Sequence, residues 1–186
     1  SMKNAARIGG RRVAGRPTLL VSLVGVLRDV RRAITTDFKR PGDAIWLLGV
    51  SRGELGGTIY ERLAGGGLAA CPAADPAGAM RLYRRFHRGA RRGLAASCHD
   101  LSDGGLWVAL AESALGGGLG AEVSLDAVPA DRPLSVEQAL FGESPGRLLV
   151  SVAPGDERRF GRLLRGSAAA RIGTVTGDGH VRATRA

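Results

Sequence analysis

The chain has 186 residues, with 27 lysines and arginines against 17 aspartates and glutamates, which gives a formal net charge of +10. At 44% hydrophobic residues it is long enough for one ordinary domain with a buried core, which excludes a polar disordered tail. Two cysteines without a CxxC pair exclude a disulfide framework and a cysteine-based zinc site, and no apolar run is long enough for a transmembrane helix.

Arginine carries almost all of the positive charge, because Lys3 and Lys39 are the only lysines. Alanine, glycine, leucine and valine are abundant too, and this bias is typical of GC-rich codon usage as well as of a binding surface. We favour the compositional interpretation. A positive field would still favour anionic ligands such as phosphates.

The first part of the chain is basic and then apolar. Residues 1–16 are rich in arginine and glycine and are expected to form a flexible arm or the end of a preceding segment. Residues 17–186 are expected to form a single domain. The apolar, β-branched run Thr18–Val30 predicts a buried strand.

The rest of the chain alternates between strand and helix patterns. Strands are predicted at Ala44–Val50, Ala95–His99, Ala121–Leu125 and Arg147–Val152. Helices are predicted at Glu54–Leu63, Pro76–Leu94, Leu106–Leu115, Val136–Phe141 and Gly155–Leu164. The turn Gly177–Gly179 predicts a terminal hairpin of Ala170–Thr176 with His180–Thr184. This order predicts an α/β (α+β) sandwich, in which one mixed sheet has helices on one face.

The helix predicted at 76–94 has an arginine-rich face opposite an apolar stripe. Such a face is able to contact nucleic acid, but it is more often a solvated surface. Aromatic residues beyond Tyr83 and Phe86 are missing from it, and a platform for single strands needs more of them. No nucleic-acid partner is therefore expected.

The loop that follows the third predicted strand is polar and rich in glycine. Asp100 and Asp103 flank it, and Gly104 and Gly105 open the next helix. Free N–H groups at a helix start bind anions, and two carboxylates suit Mg²⁺ beside phosphate oxygens. The alternative is structural: Ser102 or Asp103 caps the helix and the glycines allow close packing. His99 is equally compatible with a structural role.

A second turn, Phe141–Arg147, joins a helix to a strand. Glu143 and Arg147 flank it and are able to form a local ion pair; alternatively, Arg147 and the turn amides receive a phosphate. A third loop, Glu54–Thr58, also has glycines at a helix start. No Walker A, GxGxxG, HExxH or GxSxG pattern occurs.

These three loops together resemble a known family. GDAIWLLGVSRGELGGTIYERL, SCHDLSDGGLWVALAESAL and LFGESPGRLLVSV, in this order, resemble the C-terminal domain of phosphoribosylformylglycinamidine synthase, the synthetase component of formylglycinamide ribonucleotide amidotransferase. The resemblance covers about residues 11–186 and implies the fold of the C-terminal domain of aminoimidazole ribonucleotide synthase. Sister families with this domain type include that synthase, selenophosphate synthetase, thiamine monophosphate kinase and a hydrogenase maturation factor.

The resemblance implies a role in de novo purine biosynthesis. The family uses ATP and Mg²⁺ to phosphorylate the formyl amide oxygen of the ribonucleotide, and ammonia from a glutaminase then displaces the phosphate. The implied partners are an N-terminal-type synthase domain and a glutaminase subunit or domain, with homodimer or pseudo-dimer packing, in the cytoplasm and without a membrane. The chain looks like the last of four domains, so the fragment alone is expected to be inactive.

The resemblance also assigns roles to residues. Asp100 stands at the family's Mg²⁺-ligand aspartate, and no catalytic residue of the family falls on this chain. The nucleotide- or phosphate-binding candidates are Asp103, Gly104, Gly105, Glu143, Ser144 and Arg147. The family's ELGGSEY is ELGGTIY here, so no ligand role is assigned to Thr58 or Ile59. The alternatives are a domain of a sister synthetase or kinase, and a non-catalytic packing or dimerisation module.

Overall fold

A computed structural model describes residues 5–15, 20–67 and 70–186. The chain divides into two compact units, one ending at Arg31 and the other running from Arg32 to Ala186. The predicted boundary lay after residue 16 instead.

The first unit contains a two-stranded antiparallel hairpin. Its strands β1 (Ala5–Ile8) and β2 (Arg11–Ala14) pair from Ala5 opposite Ala14 to Ile8 opposite Arg11. Gly9 and Gly10 form the turn with φ values of 56° and 79°, which two-residue hairpins with a right-handed twist require. Residues 5–14 therefore have regular structure where a flexible arm was expected.

The buried strand predicted at 18–30 is wrong for its described part. Residues 20–29 have no regular secondary structure, and Leu23, Val24 and Val26 are each more than 90% exposed. Residues 18 and 19 lie outside the described part of the chain. Within the described residues no strand pairs with this run, and β-branched composition forms a strand only against a neighbour.

The second unit is built on a six-stranded sheet in the order β4-β6-β3-β7-β5-β8. Its strands are β3 (Ala44–Leu48), β4 (Ser97–Asp100), β5 (Gly120–Ser124), β6 (Leu148–Val152), β7 (Ala169–Thr176) and β8 (Val181–Thr184). The helices are α1 (Ile59–Ala64), α2 (Pro76–Ala90), α3 (Gly105–Gly117), α4 (Val136–Phe141) and α5 (Glu157–Leu164). Short 3₁₀ turns cover Val30–Arg32 and Leu125–Ala127. Because β5 and β8 are parallel and the other pairs antiparallel, the predicted mixed α+β sheet is confirmed.

The helices lie on both faces of this sheet, so their predicted placement on one face is wrong. Leu47 of β3 packs in a core with α3 and α4, whereas the adjacent Leu48 packs in a second core with α2 and α5. Successive side chains of a strand point to opposite faces, so the two helix pairs cover opposite sides. The nearly continuous burial of β3 and β6 is typical of strands covered on both faces.

The predicted terminal hairpin is also wrong. β7 and β8 run antiparallel to each other, but β5 lies between them and pairs with both. The Ala121 N–H donates to His180 O at 2.9 Å, and a Cβ on Gly120 would lie 2.5 Å from the same oxygen. Because Gly120 has no side chain, β5 lies directly beside the turn at residues 177–179, between the two strands of the predicted hairpin.

None of the helices in the described residues combines the length and apolarity that a bilayer span requires.

Candidate functional site

The three glycine-containing loops singled out from the sequence meet at one end of the sheet. They are residues 51–58 after β3, residues 100–105 between β4 and α3, and residues 142–147 between α4 and β6. The 142–147 turn hydrogen-bonds to both of the others and to the end of β4. It therefore ties together segments that are 40 to 90 residues apart in sequence.

Glu143 joins two helix starts. Its Oε1 accepts hydrogen bonds from the backbone N–H of Ile59 at 3.0 Å and from that of Gly104 at 2.8 Å. Ile59 is the first residue of α1, and Gly104 is the N-cap of α3. A carboxylate of the chain itself thus occupies the anion position that the N–H groups of a helix start favour.

The start of α3 depends on two glycines. Gly104 has φ 77° and Gly105 has φ 64°, a region that residues with a Cβ rarely adopt. A Cβ on Gly105 would lie 2.5 Å from the carbonyl oxygen of Gly142, so the close approach of the two loops requires glycine. Neither Ser102 nor Asp103 caps α3 with its side chain, because the N-cap residue is Gly104 and no side-chain capping bond is made from it. Glu143 supplies the acceptor instead.

Arg147 is a buried connector with 1% of its surface exposed. Its Nε donates to Ser144 O at 2.9 Å, one terminal nitrogen donates to Ser51 Oγ at 3.0 Å, and the other donates to Gly142 O. Burial lowers the pKa of Arg147 to about 10, while the nearby carboxylates of Glu143 and Glu54 act in the opposite direction. The side chain remains protonated at neutral pH and holds both loops through neutral acceptors.

Ser144 continues the same network. Its Oγ accepts the Arg52 N–H at 3.0 Å and lies 3.5 Å from Glu54 Oε2, and Glu54 Oε1 accepts the Ala73 N–H at 3.1 Å. The ion pair considered between Glu143 and Arg147 does not form, because each side chain bonds to other partners.

Asp100 and Asp103 differ from this buried network, because both are exposed. The side chain of Asp100 is 72% exposed, and its Oδ1 lies 3.5 Å from Nδ1 of His99. His99 Nε2 is 2.7 Å from Glu112 Oε2, which anchors the end of β4 to α3. This contact supports the structural interpretation of His99, whose buried Nδ1 has no hydrogen-bond partner among the described residues.

The structure thus sorts the candidates into two groups. Gly104, Gly105, Glu143, Ser144 and Arg147 are brought together in a buried or half-buried cluster, and Asp100 and Asp103 lie at its exposed margin. Sequence reasoning missed Ser51, whose fully buried hydroxyl accepts a hydrogen bond from the Arg147 side chain. The position of Ser51 directly after the apolar run Ala44–Val50 is the only sequence signal of this role.

Comparison with known proteins shows to which family the chain belongs. The model of the family described as AIR synthase related protein, C-terminal domain, matches residues 40–185. This chain belongs to that family. The phosphoribosylformylglycinamidine synthase subunit PurL of Cutibacterium acnes is 42% identical over 172 residues, which cover 89% of this chain and 22% of that protein.

Solved structures agree with this assignment. The Thermotoga maritima PurL complexed with FGAR has a TM-score of 0.74 at 25% identity and covers 84% of this chain and 27% of its own. The hydrogenase maturation protein HypE in complex with ATP has a TM-score of 0.61 at 25% identity, covering 84% of this chain and 51% of its own. The resemblance read from the three loops is confirmed. The chain spans about a fifth of the length of the curated relative.

Proposed function

We propose that this chain is the C-terminal domain of a phosphoribosylformylglycinamidine synthase, and that in the longer protein it contributes to the ATP- and glutamine-dependent conversion of formylglycinamide ribonucleotide to its amidine. The observation that carries the proposal is the meeting of the three family loops through Glu143 and Arg147. The supporting comparison is the similarity to PurL over 89% of the chain.

Within this proposal the two groups of site residues act differently. Asp100 and Asp103 contact the nucleotide side of the interface with an N-terminal-type domain, because among the candidate residues these two are the exposed ones. Glu143, Ser144 and Arg147 are positioning residues, since their hydrogen bonds hold the loops rather than face solvent. Gly104 and Gly105 allow the loops to approach. In the structure the N–H groups of both glycines already have acceptors, Glu143 and Ser102.

Mg²⁺ fits this site only if groups outside this chain supply most of its ligands. No group of three or more His, Cys, Asp or Glu side chains among the described residues is arranged to hold a metal. Asp100 nevertheless offers an exposed carboxylate, and Mg²⁺ typically takes one or two carboxylates beside phosphate oxygens and water. We therefore propose Asp100 as one ligand, with the others coming from the nucleotide and the paired domain. When bound, the ion would neutralise phosphate charge.

The partners of the domain follow from the same proposal. An N-terminal-type synthase domain supplies the catalytic residues, and a glutaminase subunit or domain supplies ammonia, in the cytoplasm and in homodimer or pseudo-dimer packing. The isolated 186-residue chain is then inactive. Turnover by this chain alone with ATP, Mg²⁺, ammonia and substrate would contradict the need for a paired domain.

The direct test uses the full-length enzyme that carries this domain. We expect the double variant Asp100→Asn, Asp103→Asn to bind ATP in the presence of Mg²⁺ at least about tenfold more weakly, as loss of metal-site groups typically does. Glu122→Gln, an exposed carboxylate of β5, is the matched control and should bind normally. Unchanged nucleotide binding in the double variant would favour a non-catalytic packing module.

A sister-family synthetase or kinase is the second candidate. The similarity to the ATP complex of HypE favours it, although the TM-score is lower than that of PurL. Turnover of the full-length enzyme with formylglycinamide ribonucleotide separates the two, because a sister enzyme would not use that substrate.

A further inference from the structure

Ten of the arginines lie on one side of the second unit, on or just after α2 and α5. We call this the α2–α5 surface, and its arginines are Arg81, Arg84, Arg85, Arg88, Arg91, Arg92, Arg158, Arg159, Arg162 and Arg165. The two helices pack side by side over the same core, where Leu82 meets Phe160 and Leu164. Two separate arginine-rich segments thus form one continuous basic face. Arg85 is half-buried, and the other nine are exposed.

Codon bias does not explain this distribution. α2 and α5 contain seven arginines within their bounds, whereas α3 and α4, which cover the opposite face, contain no arginine or lysine. The exposed positions of α3 and α4 include Glu112, Leu115 and Glu137 instead. A compositional excess would place arginine at exposed positions of every helix. α1 has one exposed arginine, Arg62, so the concentration of seven on α2 and α5 indicates a surface with a use.

Most arginines of this face form no ion pair with the described residues of the domain. Among the described residues, Arg159 alone of the ten has an ion pair, with Asp156 at 2.9 Å. Arg85 donates to the neutral Arg165 O and Ser167 Oγ. Elsewhere in the unit Arg171, Arg182 and Arg185 each pair with a carboxylate. The α2–α5 surface therefore keeps its charge available.

Two recesses at the end of α2 concentrate this charge. One is lined by Arg92, Arg159 and Arg162 with Leu94 and Leu163, and its neighbour by Arg88, Arg91 and Arg92. Neither has an acidic side chain in its lining. Arginines of both helical segments thus line the first of these depressions, and guanidinium groups suit the oxygens of a phosphate.

We infer that the α2–α5 surface binds the phosphate backbone of a nucleic-acid duplex, independently of base sequence. A duplex carries one negative charge per about 1.7 Å of axis, and α2 alone is about 22 Å long, so several phosphates lie within reach. Single strands require stacking aromatics, and Tyr83, only 38% exposed, is the one exposed aromatic ring of the two helices.

An acidic protein partner fits this face less well. The cores of protein interfaces are apolar and depleted in charge, whereas nucleic-acid interfaces are polar and strongly positive. Met80 and the half-exposed Tyr83 are the only large hydrophobic side chains exposed on these two helices, and both lie away from the two recesses. The inference does not rest on the proposed enzymatic function.

The test measures binding of the 186-residue chain to a fluorescently labelled 20-base-pair duplex of arbitrary sequence by anisotropy, between 50 and 200 mM salt. If about six phosphates are contacted, affinity should fall about 10³-fold over this range. The triple variant Arg88→Gln, Arg91→Gln, Arg92→Gln should have a salt slope smaller by about 2.7, because each lost contact removes about 0.9.

The matched control removes the same charge elsewhere. Arg7→Gln, Arg11→Gln, Arg12→Gln changes three exposed arginines of the β1–β2 hairpin and should keep the salt slope of the original chain. Thermal unfolding verifies that both variants are folded. No duplex binding at 50 mM salt, or equal losses in the two variants, would overturn the inference. Binding of poly-glutamate as tight as that of the duplex would indicate an acidic protein partner and overturn it too.

Discussion

Arginine serves opposite purposes in two regions of this domain. In the loop cluster, Arg147 is 1% exposed and all of its described donors bond to carbonyl and hydroxyl oxygens of its own chain. On the α2–α5 surface, the arginines other than the half-buried Arg85 are exposed and, except for Arg159, have no ion pair among the described residues. Burial rather than residue type therefore decides whether a guanidinium builds the fold or remains available to a ligand.

The largest expected effect comes from removing the buried arginine. Arg147→Ala should lower the free energy of unfolding by about 3 kcal/mol or more, because Ser51, Gly142 and Ser144 lose their donor and a buried unsatisfied acceptor costs about 1–3 kcal/mol. Arg158→Ala, on the exposed side of α5, should change it by less than about 0.5 kcal/mol. Urea denaturation measures both. Equal losses of unfolding free energy in the two variants would contradict the difference between the two regions.

The next effect tests how tightly the loops approach each other. Gly105→Ala and Gly118→Ala both place alanine at a φ near 64°, which costs about 1–2 kcal/mol. A Cβ at Gly105 also meets Gly142 O at 2.5 Å, whereas one at Gly118 meets no atom within 4 Å. Gly105→Ala should therefore be the more destabilising by about 1–3 kcal/mol, as overpacking typically is. Similar melting temperatures for the two variants would mean that the loops are not in close contact.

Glu143 tests the connection between the two helix starts. Glu143→Ala should lower the free energy of unfolding by about 1–3 kcal/mol and speed hydrogen exchange at the Ile59 and Gly104 amides, which lose their acceptor. Glu143→Gln keeps an acceptor and loses only charge, so its effect should be about 1 kcal/mol or less. Exchange measured by NMR distinguishes these outcomes. Unchanged protection of both amides in the alanine variant would contradict the bridging role.

The smallest effect concerns the exposed face. Arg84 and Arg88 are one turn apart on α2, and like charges at that spacing destabilise a helix by about 0.2–0.5 kcal/mol. Arg84→Gln, in the interior of the helix, should therefore raise the free energy of unfolding by a few tenths of a kcal/mol, and the gain should shrink as salt screens the repulsion. A clear loss of stability would show that Arg84 has a structural partner after all.

Local sequence patterns were enough to predict most helices and strands, but not which strands pair or which face of the sheet each helix covers. The apolar runs of β3 and β6 and the helix α3 follow from short segments of sequence, and the mixed sheet follows from their alternation. The sequence also held a signal for helices on both faces, since AIWLL in β3 has no polar residue on either side. The place of β8 beside β5 depends on a pairing that no local turn signal reports.

The sequence was enough to predict which residues make up the candidate site, but not which hydrogen bonds join them. The three loops were recognisable as motifs, but the bonds of Glu143 reach residues 39 and 84 positions away. Sequence spacing suggested an ion pair between Glu143 and Arg147, because the two are close in the chain. Packing gave each of them other partners, since the adjacent helix starts present free N–H groups and the turn presents free carbonyls.

The measurement that most directly tests the contrast between the two regions is the duplex affinity at 50 mM salt, per folded molecule, of Arg147→Ala beside the triple variant Arg88→Gln, Arg91→Gln, Arg92→Gln. We expect Arg147→Ala to bind with the affinity of the original chain despite its lower stability. We expect the triple variant to bind more weakly while its free energy of unfolding changes by less than about 1.5 kcal/mol, as three exposed substitutions typically allow. Weaker binding by Arg147→Ala, or unchanged binding by the triple variant, would contradict the division of arginines into a buried structural one and an exposed binding face.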